Sequence, residues 1–172
     1  MAKTPPLLGP LLLESSHEVT EFDCGTEALN QFLRKHAWNN QQNRSARTYV
    51  VLRGNQVVAY YSLAAASVAH VEATPRLAKG LARHPIPVIL LARLAVEQAE
   101  KGHGLGSALL KDACKRSLQA ADLIGCRALV VHAKDQSAQA FYRNFGFESS
   151  PIDESHLYLL MKDIIASLGG TP

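Results

Sequence analysis

The sequence predicts an α/β (α+β) fold with a mixed central sheet and helices on both faces, and three observations carry that expectation. An apolar run over residues 88–96, a glycine-rich loop over 101–107 and an apolar-periodic segment over 108–118 indicate a strand, a turn and a helix in that order. Two β-rich runs, 47–52 and 56–63, flank Arg53-Gly54-Asn55, which is typical of a hairpin. The 172 residues, 47% of them hydrophobic, suffice for a single domain over residues 1–172.

The other elements follow from local patterns, taken in chain order. Leu11-Leu12-Leu13 begins a first strand, and Asp23-Cys24-Gly25-Thr26 supplies a turn and a helix cap. The next helix should bury a face made of Ala28, Leu29, Phe32, Leu33 and His36. Residues 75–84 are expected to form a polar helix or loop. After the strand at 88–96 we expect a helix over 107–121, a strand over 127–132, a helix over 137–144 and a strand pair around Phe147 and 157–161.

Composition argues against several classes of protein. The apolar stretches 57–71 and 85–96 are shorter than the roughly 20 residues of a membrane span, so no membrane partner is expected. Prolines interrupt the N-terminal apolar residues, which argues against a signal peptide and makes a cytoplasmic location the expectation. Cys24, Cys114 and Cys126 lack metal-ligand spacing and indicate thiols of a reducing compartment, with a catalytic cysteine as the alternative. No metal is expected.

The glycine-rich loop Lys101-Gly102-His103-Gly104-Leu105-Gly106-Ser107 suits an anion. Glycine permits positive φ and has no Cβ, so successive backbone N–H groups can converge on a phosphate at the start of the next helix. A plain turn is the alternative. A Walker loop would need lysine after its glycines, and a Rossmann loop would open the first βαβ unit with an acidic residue about 20 positions on; neither pattern is present.

Two motifs resemble those of the GNAT family of N-acetyltransferases. The loop matches the family's Arg/Gln-x-x-Gly-x-Gly/Ala motif, with Lys101 as a departure at the first position, and residues 138–147 are similar to its A-x-x-F-Y-x-x-x-G-F segment. The resemblance implies the GNAT fold, in which the fourth and fifth strands splay, and acetyl-CoA as cosubstrate. It also implies cofactor contacts at Leu94, Ala95, Val96, Lys101, Gly102, His103, Gly104, Leu105, Gly106, Ser107, Ser137 and Phe141.

Further segments look like the GNAT toxins of bacterial type II toxin–antitoxin modules, namely residues 22–30, 60–64, 85–88 and 91–96. That branch implies acetylation of the free α-amino group of aminoacyl-tRNA, which blocks translation, and a ribbon-helix-helix antitoxin as partner. A homodimer is also expected, and Pro85-Ile86-Pro87 or Ile164-Ile165 could supply an exposed apolar surface for it or for the antitoxin. The alternatives are a GNAT enzyme acting on a small amine or protein N-terminus, and a non-catalytic module that senses acetyl-CoA.

The chemistry of acetyl transfer assigns further roles. The thioester oxyanion needs a donor, which the resemblance places at the backbone of residues 94–96. The departing thiolate needs an acid, and Tyr142 stands where the family keeps its catalytic tyrosine; without the resemblance, this residue would be expected in the core. The α-amine has a reference pKa near 7.7–8.0, so a weak base or water suffices. His132 is expected to be a core histidine or a polar residue at a strand end.

The distribution of charge predicts where tRNA would bind. The net charge of +3 does not by itself indicate nucleic acid, but acidic residues are absent from 34–71 and from 73–96. A basic face would contact phosphates of the acceptor stem through Arg34, Lys35, Arg44, Arg47, Lys79, Arg83 and Arg93. A solvated charged surface is the alternative. Trp38 is expected on the core face of its helix, with stacking on a base as the alternative.

Overall fold

The computed structural model describes residues 2–168, and within them it contains seven strands and six α-helices. The strands are β1 (Leu7–Leu12), β2 (Arg47–Arg53), β3 (Gln56–Val68), β4 (Ile86–Val96), β5 (Ala128–His132), β6 (Glu148–Ser149) and β7 (His156–Leu160). The helices are α1 (Glu27–Gln31), α2 (Ala37–Gln42), α3 (Pro75–Ala78), α4 (Leu105–Leu123), α5 (Gln136–Asn144) and α6 (Met161–Ser167). Each element expected from the sequence is present, but β1 begins at Leu7 and ends at Leu12, whereas the sequence had it begin at Leu11 after the prolines; α6 is an addition.

The strands form one mixed sheet in the order β1-β2-β3-β4-β5-β7-β6. Neighbours β1/β2, β2/β3, β5/β7 and β6/β7 are antiparallel, whereas β4 and β5 are parallel because α4 crosses between them. The parallel register runs from Val88–Ala128 to Leu91–Val131, while β4 continues to Val96. This confirms the mixed sheet, with β4 extending past the end of its pairing with β5.

The chain forms two compact units, residues 2–64 with 92–113 and residues 65–91 with 114–168. Phe22, Phe32 and Tyr60 are central to the core of the first unit, where Tyr60 packs edge-on against Phe22 and stacks with Phe32. Leu77 and Val130 belong to the separate core of the second unit. The expectation of a single domain over residues 1–172 stays a prediction, and its ends, residues 1 and 169–172, lie outside the described residues.

A π-helical turn over Phe32–His36 joins α1 to α2 and changes which residues face the core. The N–H of Ala37 donates to the carbonyl of Phe32, five residues earlier, so the turn holds one residue more than an α-turn. Ala37 is consequently fully buried, whereas His36 is exposed and Trp38 remains 38% exposed. The expectations that His36 and Trp38 face the core were therefore wrong.

Two buried amides fix the ends of this helical segment. Gln41 donates from Nε2 to the carbonyl of Leu13 (2.8 Å) and accepts the N–H of Thr48 (2.9 Å), so it ties the end of β1 to the start of β2. Asn30 accepts the N–H of Cys24 (2.9 Å) and donates to Asp23 (3.0 Å). Both side chains satisfy their polar groups while buried, which a buried amide requires.

The two apolar segments expected at the surface are only partly exposed, since Pro85 and Pro87 reach solvent and Ile165 is half-buried but the other two isoleucines are buried. Ile86 and Ile164 are each 1% exposed, because β4 begins at Ile86 and helix α6 packs Ile164 inward. Large apolar side chains do reach solvent elsewhere, among them Leu123 and Ile124 at the end of α4, 86% and 67% exposed.

Within residues 2–168, none of the helices combines the length and the apolar character needed to cross a membrane. The same residues hold no group of three or more histidine, cysteine or acidic side chains placed to bind a metal ion.

Candidate functional site

The loop before α4 belongs to the first unit and has the backbone that its glycines allow. Gly102 and Gly104 have φ of +85° and +80°, the left-handed region that favours glycine. No heavy atom lies within 4 Å of the place where a Cβ would stand at either residue. The backbone conformation at these two glycines therefore leaves space for a ligand on the side where their Cβ atoms would lie.

Helix α4 directs its first N–H groups out of the helix at this loop. The first bond into the helix is made by the N–H of Ala108 to the carbonyl of Gly104 (3.1 Å), so the N–H groups of residues 105–107 have no acceptor in the preceding turn. These donors, and the positive end of the helix dipole, favour a negatively charged ligand such as a pyrophosphate. Leu105, Gly106 and Ser107, three of the expected cofactor residues, form this first turn.

Side-chain contacts hold the loop in place within the first unit. Arg53 makes a two-bond ion pair with Glu100, at 2.5 Å and 3.1 Å, directly before the loop. Lys101 donates from Nζ to the carbonyl of Cys24 (2.6 Å), so its ammonium anchors the loop to the turn that precedes α1. His103 lies exposed in the loop, with Nδ1 3.4 Å from the carbonyl of Glu100.

The end of β4 also lies in the first unit. Ala95 is buried in its core, whereas Leu94 and Val96 are half-buried. Arg93 is half-buried as well, and its guanidinium lies 3.8 Å from the centre of the Phe32 ring, a cation–π contact. This arginine therefore has a partner inside the protein, which the sequence did not indicate.

Tyr142 lies in the second unit, on α5. The helix begins at an Asp135 cap that accepts the N–H of Ala138 (2.8 Å), and the Tyr142 ring packs edge-on against Phe141 (5.1 Å) and Phe147 (5.4 Å). The residue is 7% exposed, and no group within residues 2–168 hydrogen-bonds to its hydroxyl. Because a buried tyrosine hydroxyl usually has a partner, this one is available to a ligand.

Burial raises the pKa of Tyr142, so the phenol stays protonated at neutral pH and can donate. On the same helix, Ser137 is exposed in the first turn and Phe141 is half-buried. Burial also raises the pKa of the Cys114 thiol to about 11 and raises that of Cys126. Thiols that remain protonated are poor nucleophiles, so the structure gives no support to a catalytic cysteine at either position.

The basic residues expected to contact tRNA differ in their surroundings. Four of them are exposed: Lys35, Arg44, Lys79 and Arg83. Arg47 is half-buried at the start of β2. Arg34 donates to the carbonyl of Phe22 and lies 4.0 Å from Glu27, so its guanidinium is held by the protein. Contact with tRNA stays a prediction for all of them.

A cavity of about 160 Å³ in the second unit was missed by the sequence analysis. Its lining is contributed by β3, β4, β5 and β7, with Glu72 from the segment that follows β3. At its rim the imidazoles of His132 and His156, paired across β5 and β7, stack with ring centres 3.9 Å apart. His132 thus ends a strand, as one sequence interpretation expected, but its partner is 24 residues away in sequence, and only the register of β5 with β7 brings the two together.

Comparison with known proteins agrees with this geometry. A family model described as an acetyltransferase (GNAT) domain matches residues 44–149. A tRNA-acetylating toxin of Mycobacterium tuberculosis (strain ATCC 25618 / H37Rv) is 48% identical over 160 residues, which cover 93% of this chain and 96% of the relative. The chain belongs to the GNAT family of acetyltransferases, and this relative sets it among the GNAT toxins.

Two solved structures are similar over nearly the whole chain. The toxin AtaT complexed with acetyl-methionyl-tRNAfMet has a TM-score of 0.86 at 27% identity, covering 95% of this chain and 98% of that one. A mutant AtaT bound to the C-terminus of the antitoxin AtaR and acetyl-CoA has a TM-score of 0.79 at 27% identity, covering 95% and 97%. The GNAT fold and family predicted from the two sequence motifs are thereby confirmed.

Proposed function

We propose that this protein is a toxin that transfers the acetyl group of acetyl-CoA to the α-amino group of an aminoacyl-tRNA and so blocks translation. The observation that carries the proposal is the 48% identity to a tRNA-acetylating toxin over 93% of the chain. The structure of AtaT with acetyl-methionyl-tRNAfMet, the product expected of such a reaction, supports it. We take residues 1–172 to act as one GNAT domain.

The first unit would hold the pyrophosphate of acetyl-CoA. Gly102 and Gly104 leave the loop open, and the N–H groups at the start of α4 supply donors, so the residues present fit such a ligand. Lys101 would act chiefly by keeping the loop in place, because its ammonium already contacts the carbonyl of Cys24. The backbone of residues 94–96 would supply the donor for the carbonyl oxygen of the thioester.

Tyr142 would supply the proton that the leaving group needs. Bound acetyl-CoA provides an activated acetyl group, and the amine nitrogen forms the new C–N bond as the C–S bond breaks. The thiolate then takes the phenolic proton, while the amine loses its own proton to water and Tyr142 is reprotonated from solvent. A hydroxyl with no internal hydrogen bond in the described residues can donate to the thiolate, and because burial raises its pKa and so weakens it as an acid, the role depends on its placement beside the leaving group.

The tRNA would be bound through its phosphates by basic side chains that are exposed. Lys35, Arg44, Lys79 and Arg83 can reach a ligand without losing an internal partner. Arg83 also lines an open groove of about 480 Å³ together with His70 and His84. Phosphate contacts of this kind release counterions, so binding should weaken steeply as the salt concentration rises.

The proposed partners, an antitoxin and a second copy of the chain, follow from the proposed function. A ribbon-helix-helix antitoxin would neutralise the toxin, in line with the complex of AtaT with the C-terminus of AtaR. A homodimer is proposed as well, with exposed Leu123 and Ile124 as an apolar surface open to a second copy. The cytoplasm, which holds charged tRNA, is the proposed location.

Incubation of the purified protein with labelled acetyl-CoA and charged tRNA tests the function directly. Label should appear on the aminoacyl group and should be released with it on mild base treatment. Label on polyamines or peptide N-termini, with none on charged tRNA, would establish the small-amine or protein alternative. Cofactor binding without any transfer would establish the sensing module.

A further inference from the structure

The cavity of the second unit, here called the histidine cavity, has the size of one amino-acid side chain. At about 160 Å³ it is close to the 150 Å³ engineered cavity that holds benzene. Sites for drug-sized or cofactor-sized molecules span roughly 300–1,000 Å³. A nucleotide or a coenzyme is therefore too large for it, whereas a single small group would fill it.

The floor of the histidine cavity is apolar and its rim is polar. Val68, Val88, Leu90 and Val130 supply apolar surface from three strands. The acid at the rim is Glu72, which is the single acidic residue from 34 to 96 in a stretch otherwise rich in arginine and lysine. A ligand that suits both regions has an apolar part and a positive charge.

Glu72 is fixed in position but its charge is not neutralised. The hydroxyls of Ser150 (2.6 Å) and Tyr158 (3.1 Å) donate to its backbone carbonyl, which ties the segment to β7 and its preceding loop. Its carboxylate forms no salt bridge within residues 2–168. A carboxylate placed beside apolar surface without a cationic partner favours binding of a cation from outside.

The two histidines complete the rim with imidazole nitrogens that can take part in hydrogen bonds. His132 is exposed at the end of β5, but partial desolvation and the neighbouring His156 lower its pKa, so the neutral imidazole predominates at neutral pH and can accept a hydrogen bond. His156 in turn lies 3.4 Å from Asp153 through Nε2. An ammonium group at the rim would thus meet a carboxylate and a neutral imidazole together.

We infer that the histidine cavity receives the amino acid of the acceptor, with the side chain on the apolar floor and the α-ammonium facing Glu72 and His132, where it loses one proton to water before the neutral amine attacks the thioester. This inference rests on the proposed function and adds to it a basis for choosing among aminoacyl groups. Uncharged side chains up to about the size of a benzene ring fit, the two-ring indole of tryptophan exceeds the space, and aspartyl or glutamyl groups meet the charge of Glu72. Glu72 and His132 are thereby positioning residues for the amine.

The volume of the cavity is tested by Ala66→Leu, which adds bulk to its wall, against Ala65→Leu, the exposed neighbour on the same strand that does not line it. With wild-type protein as reference, kcat/KM is measured for alanyl-tRNA and methionyl-tRNA. Ala66→Leu should lower the value for methionyl-tRNA at least about tenfold more than that for alanyl-tRNA. Ala65→Leu should leave the ratio unchanged. An unchanged ratio in folded Ala66→Leu would overturn the inference.

The charge at the rim is tested by Glu72→Gln, which keeps the shape, against Glu154→Gln, an exposed carboxylate of the same unit. Loss of one charge-assisted contact should raise KM about tenfold to a hundredfold in Glu72→Gln and little in Glu154→Gln. An unchanged KM for Glu72→Gln would contradict the role of the carboxylate, and this test remains decisive if Ala66→Leu does not fold.

Failure of the inference and failure of the proposed function are distinguishable. If the wild type acetylates charged tRNA and the cavity variants behave like it, only the cavity assignment is lost. If the wild type acetylates no charged tRNA, the function is lost, and the cavity is examined by titrating alaninamide while following the ring signals of His132 and His156 by NMR. Saturable shifts that Glu72→Gln weakens would support the cavity, and their absence would refute it.

Discussion

Removal of the Tyr142 hydroxyl should separate catalysis from stability. The change Tyr142→Phe keeps the ring and its packing against Phe141 and Phe147, and it breaks no hydrogen bond within the described residues. The free energy of unfolding should therefore change by less than about 0.5 kcal/mol, as for substitutions that remove no buried contact. Loss of a general acid should lower kcat about 10²–10⁴-fold.

Tyr60→Phe is the matched control, because it should show the opposite pattern. Tyr60 is fully buried and donates to the carbonyl of Leu29 (2.7 Å), which also accepts the N–H of Phe32, so Tyr60→Phe removes one of the two hydrogen bonds to that carbonyl. That loss should cost about 0.5–1.5 kcal/mol of stability. The turnover of the protein that remains folded should be close to that of the wild type, since Tyr60 packs in the core of the first unit.

The assay combines thermal unfolding, acetyl-CoA titration by calorimetry and single-turnover transfer to charged tRNA. Tyr142→Phe should bind acetyl-CoA with unchanged affinity, because the hydroxyl is proposed to act only in the transition state. A loss in kcat below about fivefold would contradict the role of the hydroxyl as proton donor. A fall in acetyl-CoA affinity that matches the fall in kcat would instead make Tyr142 a binding residue.

Three further predictions address binding and pH. Gly106→Val places a side chain in the first turn of α4 and should abolish acetyl-CoA binding without unfolding the protein. Wild-type affinity for acetyl-CoA, measured by calorimetry in the folded variant, would contradict pyrophosphate binding at this loop. Arg83→Glu should weaken tRNA acetylation and reduce its dependence on salt concentration. It is a cleaner test than a change at Arg93, whose guanidinium packs on the Phe32 ring. An unchanged salt dependence would exclude a contact between Arg83 and a tRNA phosphate. The ion pair with Arg53 holds the pKa of Glu100 below its ordinary 4.5, so the pair stabilises the folded state above that pH and the effect is lost as pH falls. The difference in unfolding free energy between wild type and Glu100→Gln should accordingly shrink below about pH 4.5, and a difference independent of pH would refute the account.

Local patterns in the sequence determined most of the elements and the outline of the site. Strand, glycine loop and helix around residues 88–118 follow from hydrophobic period and from the conformations that glycine allows, and both are properties of a short stretch of chain. The same holds for the hairpin at Gly54 and for the helix that carries Tyr142. The GNAT family could be predicted from the sequence because each of its two motifs lies within a short stretch of chain.

Tertiary structure decided the features that depend on residues far apart in sequence. The π-turn places His36 and Trp38 at the surface, because its one extra residue changes which side chains face the core. A prediction from hydrophobic period assumes a regular α-helix and could not include this change. Packing buried Ile86 and Ile164, which the sequence had left exposed. His132 pairs with His156 because of the register between β5 and β7. That register depends on which face of each strand is buried, and the sequence of either strand alone does not determine it.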